Sequence, residues 1–97
     1  MKNFWKDRNI FITGASGLLG AWLTKELIDK QANVICLIRD DVPNTNLIHF
    51  SLMDRITTVN GSVEDYTLLS RIINEYEIQT VFHLAAQTIV TVANHSP

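Results

Sequence analysis

The chain has 97 residues, 46% of them hydrophobic and 19% charged, and 8 basic against 10 acidic side chains leave a formal charge of −2. This is the size of about one small domain, and the charge balance excludes a polybasic nucleic-acid-binding surface. The longest apolar stretch falls far below the roughly 20 residues of a membrane span. The start, Met1-Lys2-Asn3-Phe4-Trp5-Lys6-Asp7, lacks the apolar core of a signal peptide, and the single cysteine, Cys36, permits no internal disulfide. A cytoplasmic protein with no metal site, no membrane contact and no nucleic-acid partner is expected.

Apolar runs of five or six residues alternate with stretches of helical period, the pattern of a parallel sheet with crossover helices. Asn9 to Thr13 is the first predicted strand. Its core Ile10-Phe11-Ile12 is apolar at consecutive positions, as in a strand buried on both faces, which places it centrally. Leu18 to Lys30 follows as a helix with Leu19, Trp22, Leu23 and Leu27 on one face and Lys25, Asp29 and Lys30 toward solvent. Val34 to Ile38 is the second strand, ending at the polar Arg39-Asp40-Asp41. Between Val42 and Asp54 the turn formers Pro43, Asn44 and Asn46 precede apolar residues without a clean period, and the expectation is a loop followed by a short helix.

Arg55 to Asn60 is the third predicted strand, stopped by Gly61. Ser62 is expected to cap a helix, with Asp65 in the capping-box position. That helix runs to about Tyr76 and buries Leu68, Leu69, Ile72, Ile73 and Tyr76. Thr80 to Ala85 is the fourth strand. The whole is one α/β unit of form β-α-β-α-β-α-β, residues 1–97, and right-handed crossovers give the order 3-2-1-4 of a partial Rossmann-like, doubly wound parallel sheet. In that order the fourth strand is left as an exposed apolar edge, so the chain is expected to be the N-terminal segment of a longer one.

The segment Thr13-Gly14-Ala15-Ser16-Gly17-Leu18-Leu19-Gly20 joins the first strand to the first helix, and three of the four glycines fall in it. A sharp strand-to-helix turn needs a residue free of Cβ strain, a pyrophosphate needs close backbone, and helix and strand need a contact without a side chain. Gly14, Gly17 and Gly20 meet these demands in that order. Ser16 lies in the same loop, and Leu18 and Leu19 act through their backbone N–H groups at the helix N-terminus, their side chains belonging to the core. A dinucleotide site is the expectation, because the motif sits inside a βαβ unit. At the exit of the second strand, Arg39 suits a 2′-phosphate and Asp40 suits ribose hydroxyls, so NAD and NADP both remain open.

With these elements in place the chain resembles the extended short-chain dehydrogenase/reductases, in the NAD-dependent epimerase/dehydratase family, and among them the nucleotide-sugar 4,6-dehydratases and epimerases. The likeness spans the chain and rests on Thr13-Gly14-x-x-Gly17-x-x-Gly20, on Gly61-Ser62-Val63 and on His83-Leu84-Ala85-Ala86-Gln87. Phe4-Trp5, Trp22-Leu23, and Ala85-Ala86-Gln87 with Val90 and Pro97 following, look most like the CDP-glucose type. The resemblance implies that Ser62 and Val63 sit at the adenine, and that Leu84, Ala85 and Ala86 line the cofactor cleft near the ribose and nicotinamide. Ser62 stands where the family usually carries Asp, which leaves an uncharged acceptor for the adenine amino group. Gln87 falls where the strand opens into the cleft, to meet substrate or cofactor or to cap a helix. His83 is read as a satisfied core residue and Cys36 as packing. Trp5 and Trp22 are read as core or surface cover.

The resemblance further implies oxidation at C4 of a nucleotide-linked hexose by hydride transfer to the cofactor. In a dehydratase, loss of water across C5 and C6 and return of the hydride to C6 would follow. The family's Tyr-x-x-x-Lys pair is missing, since Tyr66 is followed four residues later by Ser70 and Tyr76 by Thr80. This segment is therefore expected to hold the cofactor and to be inactive alone, within a homo-oligomeric enzyme when the chain is longer. A noncatalytic dinucleotide-binding module, or a reductase of another substrate class, is the alternative.

Overall fold

A strand whose neighbouring residues are all apolar must bury both of its faces, and Ile10, Phe11 and Ile12 do so at the centre of a five-stranded sheet. The computed structural model describes residues 3–15, 17–39, 51–84 and 88–91. In chain order these form β1 (Asn9–Thr13), α1 (Leu18–Asp29), β2 (Asn33–Ile38), a 3-10 turn (Met53–Arg55), β3 (Thr57–Asn60), α2 (Tyr66–Glu75), β4 (Thr80–His83) and β5 (Thr88–Thr91). The sheet order is β3-β2-β1-β4-β5. β1 pairs in parallel with β2 and with β4, and β2 with β3, so the Rossmann-like order 3-2-1-4 is the one observed.

β5 corrects one expectation. It runs antiparallel to β4, with Thr88 opposite His83 and Thr91 opposite Thr80. β4 is therefore not an exposed edge, because its outer main-chain groups are paired by the returning strand. The β-branched run Thr88-Ile89-Val90-Thr91 has the composition for this. The third strand also starts later than expected, because Met53 to Arg55 close a 3-10 turn before Thr57 joins β2. Most of the predicted loop and short helix of Val42 to Asp54 lies outside the described residues.

Alternation sorts the core onto the two faces of the sheet. Ile10, Ile12, Val34, Cys36 and Phe82 meet Ala21, Leu27 and Ile28 of α1 on one face. Phe11, Ile35 and Leu37 meet Ile72 of α2, and Ile78, on the other. Trp5 closes the first face, lying against Phe82 with ring centroids 6.0 Å apart. Cys36 is packing as expected, and burial pushes its thiol up to about 12, which the Thr24 hydroxyl offsets only in part. On α2 only Ile72 is fully buried, while Leu68, Leu69, Ile73 and Tyr76 pack half-buried around it.

The buried side of α1 differs from the predicted one. Gly20, Ala21, Thr24, Leu27 and Ile28 face the sheet, whereas Leu18, Leu19 and Trp22 are 60%, 66% and 50% exposed. The side chains of Leu18 and Leu19 are thus not core. Small residues win the inner face because the helix start lies too close to the β1 loop for anything larger.

Both helices end in the same way. Ala32 N–H donates to the Leu27 carbonyl and Gln31 N–H to that of Ile28, and Ile78 and Glu77 repeat the pattern on Ile73 and Asn74. These are Schellman motifs, in which the residue after the cap takes a left-handed conformation. Gln31 has φ 68° and Glu77 φ 51°, so non-glycine residues occupy the positions where glycine is favoured. Gln31→Gly and Glu77→Gly should each stabilise the chain by about 0.5–1 kcal/mol, and Gln31→Val should destabilise it. Urea unfolding of the three variants checks this.

Candidate functional site

The carboxyl ends of parallel strands, at the point where the chain leaves β1 to one side and β4 to the other, are where doubly wound sheets hold ligands. β1 stops there at Thr13. Gly14 makes the turn with φ 78°, and its carbonyl accepts the Gly17 N–H at 3.3 Å. Gly17 is the N-cap of α1, with φ −70° and ψ 166° and no side-chain cap bond. Its carbonyl accepts the Ala21 N–H at 2.9 Å. The N–H groups of Leu18, Leu19 and Gly20 precede the first intrahelical bond, so no helix carbonyl takes them, and among the described residues no side chain caps them. Together with the helix dipole they present a partial positive charge suited to an anion.

The glycines divide their tasks. A Cβ on Gly20 would lie 2.3 Å from the Gly14 carbonyl oxygen and 2.7 Å from Ala15 Cα, both backbone, so the fold itself excludes a side chain. Gly14 is required by its positive φ. Gly17 is different, because a Cβ there meets only the Gly14 oxygen at 3.6 Å, an ordinary contact, and its φ suits any residue. Nothing within the described protein demands glycine at position 17. The space it leaves lies directly before the uncapped amides.

Other predicted residues gather at the same end of the sheet. Arg39 follows β2 and is exposed, while the Ile38 carbonyl before it accepts the Gly61 N–H at 2.9 Å and so ties the exits of β2 and β3. Ser62 is not the cap of α2, contrary to the expectation from sequence. Its Oγ accepts the Glu64 N–H at 3.1 Å, and Asp65 is the N-cap, Oδ1 accepting from Leu68 N–H at 3.1 Å. Both residues are good caps, and the chain starts its helix at the later one because Ser62 to Glu64 are still turning away from β3. Glu64 and Asp65 thus precede the helix rather than occupying its first turn.

Val63 lines a cleft of about 400 Å³ together with Thr13, Glu64 and His83, above an apolar floor that includes Phe11 and Val81. Leu84 donates its N–H to the Thr13 carbonyl at 3.0 Å and packs half-buried on the core of the α1 face. Ser16, Asp40, Ala85, Ala86 and Gln87 lie outside the described residues. Sequence reasoning missed the Thr13 and His83 side-chain bond, which only strand register reveals. Among the described residues no group of three His, Cys, Asp or Glu side chains is placed to hold a metal ion, and no helix is long and apolar enough to cross a membrane.

A family model described as GDP-mannose 4,6 dehydratase matches residues 11–97. CDP-glucose 4,6-dehydratase of Salmonella typhimurium is 32% identical over 97 residues, covering 99% of this chain and 27% of that protein. Among solved structures, epimerase Mth375 of Methanothermobacter thermautotrophicus superposes with a TM-score of 0.71 at 29% identity, over 84% of this chain and 24% of that one. The Bordetella bronchiseptica enzyme WbmH in complex with NAD+ shares the fold, with a TM-score of 0.59 at 24% identity over 78% of this chain and 25% of that one. The chain thus spans about a quarter of the length of these relatives.

The division among the glycines is measurable as stability. Gly20→Ala should cost roughly 2 kcal/mol or more, since backbone must move, and Gly17→Ala less than about 1 kcal/mol. Equal losses in urea unfolding would contradict it.

Proposed function

The chain belongs to the GDP-mannose 4,6 dehydratase family, and from that premise we propose that it forms the N-terminal, NAD(P)-binding part of a nucleotide-sugar 4,6-dehydratase or epimerase. The observation that carries this reading is Gly17, a glycine that the fold leaves room to replace, set immediately before three uncapped helix amides. A ligand that needs the backbone bare at that point supplies the missing demand, and a pyrophosphate is such a ligand. In the same fold WbmH holds NAD+, in keeping with this reading.

Each part of the site has a task in it. The N–H groups of Leu18, Leu19 and Gly20 donate to phosphate oxygens, and the Gly14 turn and Ser16 shape the loop around them. Arg39 or Asp40 meets the adenosine ribose, and an NADP preference would belong to Arg39. Ser62 and Val63 border the adenine, with a hydroxyl in place of the family's carboxylate. Leu84, Ala85, Ala86 and Gln87 border the ribose and nicotinamide. A bound dinucleotide supplies the hydride acceptor for oxidation at C4 of a nucleotide-linked hexose. No tyrosine in the 97 residues has a lysine four positions on, so this segment holds the cofactor and does not turn over a sugar by itself. The nucleotide-sugar substrate and a homo-oligomeric assembly belong to the same proposal for the whole protein.

Fluorescence titration with NADH and NADPH tests the reading. The parent should bind at least one of them, and Gly17→Val should weaken binding by roughly 100-fold or more, since several charge-assisted bonds are lost together. Equal affinity in parent and variant would sink the phosphate-loop assignment. A second prediction concerns selectivity: any preference of the parent for NADPH should vanish in Arg39→Ala, and a preference that survives would remove Arg39 from the site.

A further inference from the structure

Thr13 and His83 are the last residues of β1 and β4 and stand opposite each other in the parallel register. The main chains are joined just beyond them, where Leu84 N–H donates to the Thr13 carbonyl at 3.0 Å. Their side chains add a second tie, a hydrogen bond between Thr13 Oγ1 and His83 Nδ1. The hydroxyl donates when the ring proton sits on Nε2 and accepts when it sits on Nδ1, so the bond survives either tautomer. Thr13 is 2% exposed, and His83 is half-buried on the wall of the cleft that also contains Val63 and Glu64.

The place of this pair matters more than its strength. Thr13 directly precedes Gly14, whose φ of 78° starts the turn into α1. A threonine has few side-chain rotamers, and a bond to its hydroxyl selects one. Packing alone does not call for this chemistry, because a valine fills the threonine's volume and an aromatic ring fills the imidazole's. What the two polar residues add is a fixed torsion at the residue on which the glycine turn is built.

We propose that His83 is a positioning residue for the glycine loop, acting through Thr13 Oγ1 to hold the Gly14 turn so that the first-turn amides of α1 converge on a phosphate. The inference rests on the dinucleotide reading above and names a residue outside the ligand's direct contacts.

Three single variants and one double variant of the chain test it. His83→Phe keeps a ring without the ring nitrogen, Thr13→Val keeps the branched shape without the hydroxyl, and His83→Asn keeps a polar atom near the Nδ1 position. Two quantities are measured: NADH affinity, and the amide resonances of Gly14 and Gly17 in the absence of nucleotide. His83→Phe and Thr13→Val should each weaken binding roughly 3- to 10-fold, the scale of one hydrogen bond. Because they break the same contact, the double variant should be no weaker than either single one. Both should shift the two glycine amides, and His83→Asn should restore affinity and amide positions toward the parent.

Unchanged glycine amides in His83→Phe would overturn the inference, as would variants that lose thermal stability while the folded fraction keeps parental affinity. So would additive losses in the double variant. Should the parent itself fail to bind NADH and NADPH, the functional reading falls separately, and the glycine amides still decide whether His83 sets the loop.

Discussion

A Cβ at position 20 would come within 2.3 Å of the Gly14 carbonyl oxygen, and the other features of the site follow from that closeness. Because α1 starts hard against the backbone of its own entry loop, its inner face can carry only small groups for the first turn and a half. Gly20, Ala21 and Thr24 fill that face, and the Thr24 hydroxyl bonds the Gly20 carbonyl at 2.7 Å rather than standing as an unsatisfied buried polar group. The helix is thereby rotated so that Leu18, Leu19 and Trp22 look outward. Its first amides come to the carboxyl end of β1 instead of being lost beneath a bulkier contact.

The sheet holds this arrangement from both sides. β1 is paired with β2 and β4 along its length, so the end at Thr13 has neighbours on either side and cannot fray independently. At the opposite end the chain is stitched by side chains, with Arg8 Nε donating to Thr80 Oγ1 at 2.8 Å and Gln79 Oε1 accepting the Asn9 N–H at 2.9 Å. The amino end thus carries polar cross-links around β1 and β4, and a cavity of about 300 Å³ bordered by Asn33, Arg55 and Thr57 at the starts of β2 and β3. The carboxyl end keeps open amides, a glycine with room above it and a cleft floored by Phe11 and Val81. The carboxyl end is therefore the one on which the proposed dinucleotide would lie.

Much of this was legible in the residues and some could not be. β1 was readable to its ends because three consecutive apolar residues have no stable place except a strand covered on both faces. The glycine loop was readable because turn, close approach and packing each call for the same residue type. The helix ends were less clear, since Gln31 and Glu77 take the left-handed position without the glycine that usually marks it. Ser62 and Asp65 are both good caps three residues apart, and only the path of the chain out of β3 selects the second. The outward leucines of α1 are not legible from hydrophobicity, because clearance beneath Gly20 decides which side of the helix faces the sheet. β5 was missed although its residues are β-branched, because its role depends on pairing with β4. The bond between Thr13 and His83 is likewise a product of register, which joins positions 70 residues apart.

The most direct test of the central claim, that the carboxyl end of β1 and the start of α1 hold a dinucleotide, is an amide chemical-shift map of the chain during titration with NADH. The largest shifts should fall on Gly17, Leu18, Leu19 and Gly20, with a second group at Ser62 and Val63, and the amides of Asn9, Asn33 and Gln79 at the far end should stay still. Shifts concentrated at that far end, or none in the glycine loop at saturating nucleotide, would contradict it.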